Sequence, residues 1–374
     1  MSQQRIPGWI HVVVIPLVNI LLASIAAGCV FLYLDINPID AVGTMAYGAF
    51  GDSYGWGYTL YYTTSFIFTG LAVAVAYHSG LFNIGVEGQA YIGTLGVGLV
   101  CLWLGGSVPF IVLLPIAILA AGLFGAAWAF IPAWLQAYRG SHIVITTIMF
   151  NFIASSLMGY LLGQVLKPEG SMSVESAVFH EASWIPKVHE VLAMIGIELQ
   201  RSPLNMSIVW ALMCGVGVYF FIWRTRWGYE MRAVGQNSNA AQYAGIPLGK
   251  VIVMTMLVSG MLGGFFALNV VQGEAHQIKL SLVNGMGFTG IAVALMGRNH
   301  PFGIVLASLL FGFLYQGGGE LQFEYGVDPR IIVVLQGLVI LFSGALENMM
   351  KHPIESLYLK LTEKSRHADV AEAN

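Results

Sequence analysis

Charge is scarce in this 374-residue chain. Asp, Glu, Lys and Arg make up 9% of it, where soluble globular proteins carry about 25%. A soluble domain of this length could not cover its surface with so few charges. Sixteen basic against nineteen acidic residues leave a net charge of −3, so there is no basic excess to neutralise phosphates and no nucleic-acid partner is expected. Apolar residues at 57% exclude disorder. Cysteine is also rare. Cys29, Cys101 and Cys214 lie singly in apolar stretches and read as small core residues rather than disulfides or metal ligands.

Chemical signatures are missing as well. No GxxxxGK[ST] loop occurs to cradle nucleotide phosphates, and there is no GxSxG elbow and no CxxC pair. His180-Glu181 and His189-Glu190 begin like a zinc motif, but neither has a second His four residues further on. No metal site is expected.

What the chain does contain is long runs free of charge, with a mean hydropathy of +0.75. They cover 6–34, 53–86, 88–138, 140–166, 202–223, 251–273, 280–297, 299–319 and 331–346. A bilayer core needs about 20 apolar residues per helix. The 88–138 run is long enough for two, with a break at Gly105, Gly106, Ser107 and Pro109. The expectation is therefore an all-α membrane protein with about ten transmembrane helices. With the amino terminus inside, five Lys/Arg fall outside (Lys167, Lys187, Arg201, Lys279, Arg330) and the other eleven inside, which favours that orientation and two cytoplasmic termini. Segment 167–203 then lies outside and loop 224–250 inside. The membrane-spanning body is expected over 1–350, with a solvated cytoplasmic tail at 351–374. Ala26-Ala27-Gly28-Cys29 resembles a lipoprotein cleavage box, but the apolar run continues to Leu34, which argues against a cleaved signal.

Two stretches repeat. Pro109-Phe110 opens an apolar run ending near Gly125, followed by Arg139 and a β-branched run from Ile143. Pro301-Phe302 opens another ending at Gly312, followed by Arg330 and a run from Ile331. They match the fourth helix to the ninth and the fifth to the tenth. An offset of five helices reverses direction, giving two inverted repeats, an arrangement that places a transport path at the repeat interface; chance likeness of Gly/Leu/Phe-rich helices is the alternative.

Three segments carry the polar groups. GLFNIGVEGQ at 80–89 combines helix-disfavouring Asn83, Gly85 and Gly88 with a lone acid, Glu87, between two spans. Broken backbone at membrane depth must be buried in protein or face a watery cavity, and an ionisable group there is a functional candidate; a turn with a capping Glu is the structural reading. The second segment is loop 223–247, where Ser238 can cap a short helix that continues to Ala244, Gly245 can end it and Pro247 prevents its resumption. The third, NGMGFTGIAVALMG at 284–297, is glycine-rich enough for close packing or a broken helix. Asn151 is a further polar group in the fifth span.

The 80–89 motif resembles the signature of permease subunits of ABC importers for nucleosides and related simple sugars, distant relatives of ribose and branched-chain amino-acid permeases. GQN–AA–AGI at 235–246 resembles the coupling loop of that family, and 284–302 is similar to it too. The resemblance covers about residues 60–346. It implies a permease in a bacterial inner membrane that is no enzyme itself. An ABC ATPase subunit would dock on Gly235, Asn237, Ser238, Ala240, Ala241, Gly245 and Ile246. A second, different permease would pair with it, and an extracytoplasmic binding protein would deliver the cargo. Membrane lipid is expected around the chain. No cofactor is expected in this chain, since the resemblance implies that ATP and Mg are held by the ATPase. The expected substrate path includes Phe82, Asn83, Glu87, Gln89, Asn151, Asn284 and Phe288. Nucleosides lead as cargo; sugars and purine bases stay open. An ion-coupled secondary transporter, needing membrane-embedded acids, is the rival reading; an intramembrane enzyme lacks a catalytic constellation.

Overall fold

The computed structural model describes residues 15–341, in which helices are joined by turns and irregular segments, with two isolated bridges. The tail expected at 351–374, the start of the first span and the end of the last lie outside the described residues. The described residues divide into two compact units, one formed by 15–46 with 318–341 and the other by Tyr47–Gly317. The elements are α1 (Ile15–Tyr33), α2 (Pro38–Phe50), α3 (Ser53–His78), α4 (Val86–Leu104), α5 (Phe110–Arg139), α6 (Ile143–Tyr160), α7 (Val188–Ala193), α8 (Ser207–Arg224), α9 (Arg226–Gln236), α10 (Ser238–Tyr243), α11 (Leu248–Ala267), α12 (Met286–Met296), α13 (Pro301–Tyr325) and α14 (Pro329–Ile340). Wider π-helical turns extend α6 over Leu161–Val165 and α11 over Leu268–Ala275.

Helix starts follow the capping chemistry of the sequence. Asp52 accepts the Gly55 N–H at 2.7 Å to open α3. Thr225 accepts Gly228 N–H at 3.1 Å to open α9, and Asp328 accepts Arg330 N–H at 2.8 Å ahead of Pro329. The break expected after Leu104 is present, and both Pro-Phe pairs of the proposed repeat stand at the start of a long helix, α5 and α13.

Among the described residues, six helices are long and apolar enough to cross a membrane: α3, α5, α6 and α11 with their extensions, α8, and α13. They become seven if Leu21–Tyr33 and Pro38–Phe50, bent by 108°, form one span. The count of ten is not reached by this measure, because two of the expected spans are less regular than their charge-free runs and the last is described only in part. α4 begins with Glu87 and Gln89, and α12 has only 11 residues because Asn284 and Gly285 adopt positive φ and delay its start. α14 is described over 12 residues. Residues 34–53 hold a helix that the acids Asp35, Asp40 and Asp52 conceal from a search for charge-free runs. Cys29 is exposed, a correction to its reading as a core residue; Cys101 is buried and Cys214 half-buried.

In the larger unit the core is built on α3, 89% buried over its best window, against 28% for α5, α6 and α8. A helix apolar all round and buried all round is a central one, whereas the others turn faces outward. α3 carries its hydroxyls inside by bonding them to its own carbonyls: Thr63 to Thr59 O at 2.7 Å, Thr64 to Leu60 O at 2.8 Å. α5 and α11 cross with backbones in contact. A Cβ on Gly125 would lie 2.2 Å from Gly260 O, and one on Gly264 2.1 Å from Ala121 O. Small residues permit this approach, which in lipid takes the place of the hydrophobic effect as the source of helix adhesion.

Segment 167–203 packs within the larger unit. Ser176 is buried, its hydroxyl accepting Ile278 N–H at 2.9 Å. Trp184 stacks on His276 with centroids 3.9 Å apart. Burial pushes the His276 imidazole down from 6.5 to about 4. The neutral ring is the folded form, so its contribution to stability is complete above pH 6.5, declines as pH falls and is lost below about 4. Titration of this imidazole by NMR is expected to give a pKa near 4; a value near 6.5 would show a solvated ring and no such dependence.

Candidate functional site

The chain leaves α3 at Ser79 and does not resume a helix until Val86. Gly80, at φ +73°, turns it. Such a gap leaves backbone groups of two helix ends without intrahelical partners, and side chains supply them. Asn83 accepts Gly85 N–H at 2.9 Å and donates to Ser259 of α11 at 2.8 Å. The Ser259 hydroxyl donates in turn to Ala72 O of α3 at 2.6 Å. Gln89 meets Asn83 with both ends of its amide, at 3.1 and 3.3 Å. Asn151 of α6 accepts Gly88 N–H at 2.8 Å and donates to Ile84 O at 2.9 Å. Three amides and one serine thereby tie α3, α4, α6 and α11 around the break.

Glu87 faces the other way. One carboxylate oxygen accepts the Gly285 N–H at 2.8 Å, and the other accepts the Gly287 N–H at 2.8 Å, from residues about 200 positions later. Glu87 lies in the first turn of α4 and its acceptors' donors in the first turn of α12, so a single carboxylate stands at two helix N-termini, where N–H groups are free and the dipoles are positive. The helices touch there: a Cβ on Gly287 would lie 2.5 Å from the Glu87 backbone. Glu87 is 5% exposed. An unpaired charge so buried would be costly, and the two N–H donors offset that cost.

The seven expected path residues therefore fall into two groups. Asn83, Glu87, Gln89 and Asn151 are buried and engaged with protein partners. Phe82 is half-buried, Asn284 is exposed just before the N-cap of α12, and Phe288 is exposed in the first turn of that helix.

The loop after α8 holds the second cluster. α10 is capped at both ends, but by Asn237 rather than Ser238. Asn237 is extended and accepts the Ala240 N–H at 3.0 Å, while Ser238 is already the first helical residue. At the other end Gly245 has φ +80°, with Gly245 N–H to Gln242 O and Ile246 N–H to Ala241 O both at 3.0 Å, the paired bonds of a Schellman stop. Ala241 is buried beneath the helix. Ala240 and Tyr243 are exposed, and Ile246 is half-buried. Gly235, at the end of α9, packs on the start of the break: a Cβ there would lie 2.3 Å from His78 O and 3.0 Å from Gly80 N. His78 donates through Nε2 to Asn299 O, just beyond α12, at 3.0 Å.

Sequence reasoning missed Ser259, His78 and a further buried set in which Asn269 of the π-turn donates to Ser65 Oγ at 2.8 Å and accepts from Asn205 at 2.9 Å. Each is a lone polar residue in or beside an apolar run, a signal visible only once a partner is known.

The family model for the permease component of branched-chain amino acid transport systems matches residues 56–344. The chain is 34% identical to a guanosine ABC transporter permease protein of Bacillus subtilis, over 88% of this chain and 92% of that one. It is 31% identical to a glucose ABC transporter permease protein of Haloferax volcanii, over 91% and 89%. It is 30% identical to a nucleoside ABC transporter permease protein of Lactococcus lactis, over 88% and 90%. No solved structure matches the chain.

Two substitutions test the junction. Glu87→Gln leaves an amide NH2 facing backbone donors and should cost about 1.5–3 kcal/mol. Gly287→Ala forces the two helices apart and should cost about 1–3 kcal/mol. Phe288→Ala, on the exposed face, should stay within about 0.5 kcal/mol. Thermal unfolding in detergent of the three variants checks the ranking; equal midpoints for Gly287→Ala and the parent would contradict it.

Proposed function

Since the chain belongs to the permease-component family of branched-chain amino acid transport systems, we propose that it is the membrane-spanning permease of an ATP-driven importer for nucleosides. The observation that carries this is α10, a six-residue helix stopped at both ends, exposed on its Ala240 and Tyr243 side and joined through Gly235 to the broken helix. An isolated six-residue helix is unstable, and a loop that needs only to connect has no use for two caps. A rigid knob of small residues suits the groove of a separate ATPase, which binds ATP and Mg.

In this reading ATP-driven closure of the ATPase pair pushes α10. The push passes through α9 to His78–Gly80 and so to the junction of α4 and α12. The path runs past Phe82, Asn284 and Phe288, with Asn83, Glu87, Gln89 and Asn151 as the wall that holds them. A second, different permease closes the other side, and a binding protein delivers cargo to segment 167–203. The chain sits in a bacterial inner membrane with both termini and loop 224–250 cytoplasmic. Nucleosides are favoured by the FNIG form of the 82–85 motif and by relatives named for guanosine and nucleosides; the relative named for glucose makes sugars the second choice. An ion-coupled carrier would need a membrane-embedded carboxylate free for the ion; both oxygens of Glu87 are already engaged, and Glu274 stands at the end of its span beside Tyr61 and the cations Lys187 and Lys279.

Uptake by proteoliposomes holding both permeases, the ATPase and the binding protein should require ATP, and uptake without ATPase would refute the reading. Ala240→Glu should abolish uptake and release the ATPase in pull-downs while leaving the fold intact. Ala241 is a poorer probe, because it is buried in this chain's own packing. Met172 and Tyr243 are 98% and 95% exposed. In intact cells an impermeant thiol reagent should label Met172→Cys and spare Tyr243→Cys; the opposite pattern would invert the topology.

A further inference from the structure

Away from the junction, the larger unit contains a cavity of ≈ 940 Å³ between α3, the end of the π-turn and residues 187–203. That volume is in the range of small-molecule sites. Its polar lining comes from three directions. Tyr58 stands on α3, flanked along the helix by Tyr54 and Tyr62 with ring centroids 4.6 and 6.4 Å away. Glu274 closes the π-turn, beside the Tyr61 hydroxyl and Lys187. Lys187, His189, Glu190, Glu198 and Arg201 come from the segment opposite.

The walls are held from behind. Gly57 meets Ser202 so closely that a Cβ would lie 2.3 Å from its side chain, and Gly273 meets Asn205 in the same way at 2.3 Å. Asn205 also donates to Asn269 at 2.9 Å and to Pro203 O at 3.1 Å. The cavity is thus a fixed feature of the packing rather than a gap beneath a loose loop.

The lining chooses among ligand classes. Three carboxylates outnumber two cations, so a phosphate or other anion would be repelled more than held. The space is too polar for a lipid tail. A flat tyrosine face next to a carboxylate and several donors fits an uncharged ring that carries neighbouring hydroxyls. We propose that this cavity is a receiving site in which cargo with a ribose- or hexose-like set of hydroxyls rests on Tyr58 and hydrogen-bonds Glu274 before it reaches the junction. This rests on the importer reading and adds to it a site and a rule against nucleotides. Occupancy is weak, because a passing site must also release.

The test uses the assembled transporter in nanodiscs with radiolabelled adenosine, and with ribose, glucose and adenosine monophosphate as competitors. Saturable adenosine binding is expected, with ribose or glucose competing according to which part of the cargo is read. Adenosine monophosphate should compete at least about tenfold more weakly. Tyr58→Ala and Glu274→Gln should each weaken binding about tenfold or more, while Tyr58→Phe, which keeps the ring, should stay within about threefold. As a readout independent of affinity, Ala193→Cys, on the cavity wall, should react with a thiol reagent more slowly when adenosine is present. Equal labelling with and without adenosine, in a transporter that takes adenosine up with ATP, would overturn the receiving site and leave the importer intact. So would equal competition by the monophosphate. Failure of the parent transporter to take up any nucleoside, guanosine and adenosine included, or ribose or glucose with ATP would instead overturn the importer reading itself.

Discussion

The larger unit depends on one carboxylate. Glu87 stands at the N-termini of α4 and α12, accepts a backbone N–H on each oxygen and lies where a methyl group on Gly287 would not fit. Neither helix start could be buried alone, because its first N–H groups would have no acceptor. A buried acid alone would be equally unfavourable. Together they satisfy each other, and the geometry is demanding because the donors belong to one helix and the acceptor to the other. The short length of α12 follows from this. Its turn at Asn284 and Gly285 exists to present those N–H groups.

The junction is also where separate elements become mechanically linked. Asn83, Gln89 and Asn151 fasten the non-helical 79–85 stretch to α4, α6 and α11. Gly235 rests on its first residues, and His78 reaches past it to Asn299 beyond the far end of α12. A displacement of α9 would meet stiff hydrogen-bonded amides rather than a pliable loop, so it would move the two half-helices as bodies. In a membrane, where helix surfaces slide at little cost, such polar ties determine which surfaces move together.

A second polar frame stands apart from the first. Asn269 in the wider turns of the π-helix joins Asn205 and Ser65, and Gln272 donates to Ser183 O at 2.9 Å. It fastens residues 183–207 to α3 and α11 and shapes the mixed-charge cavity. Both frames interrupt regular helix, at 79–85 and at 268–275. Irregular backbone exposes the carbonyl and N–H groups that buried amides can hold.

Residues 15–341 bear out what composition and local pattern could establish: an all-helical membrane chain, a break after Leu104, a non-helical 80–85 motif and a short helix ended by Gly245. These depend on hydropathy, φ preferences and capping, each of which acts within a few residues. The same locality explains the near misses. Asn237 and Ser238 are both good caps, and only the extended backbone at 237 selects the former. α2 was concealed by acids that interrupt an apolar run without breaking a helix. What tertiary structure alone decided is the work of each polar residue. Glu87 could have lined a path or capped its own helix; its partners lie about 200 residues away, at glycines whose role is invisible until α12 is set beside α4. The reason is physical: a side chain's hydrogen-bonding capacity is written in its identity, but its partner is chosen by which helices the packing of small residues allows to touch.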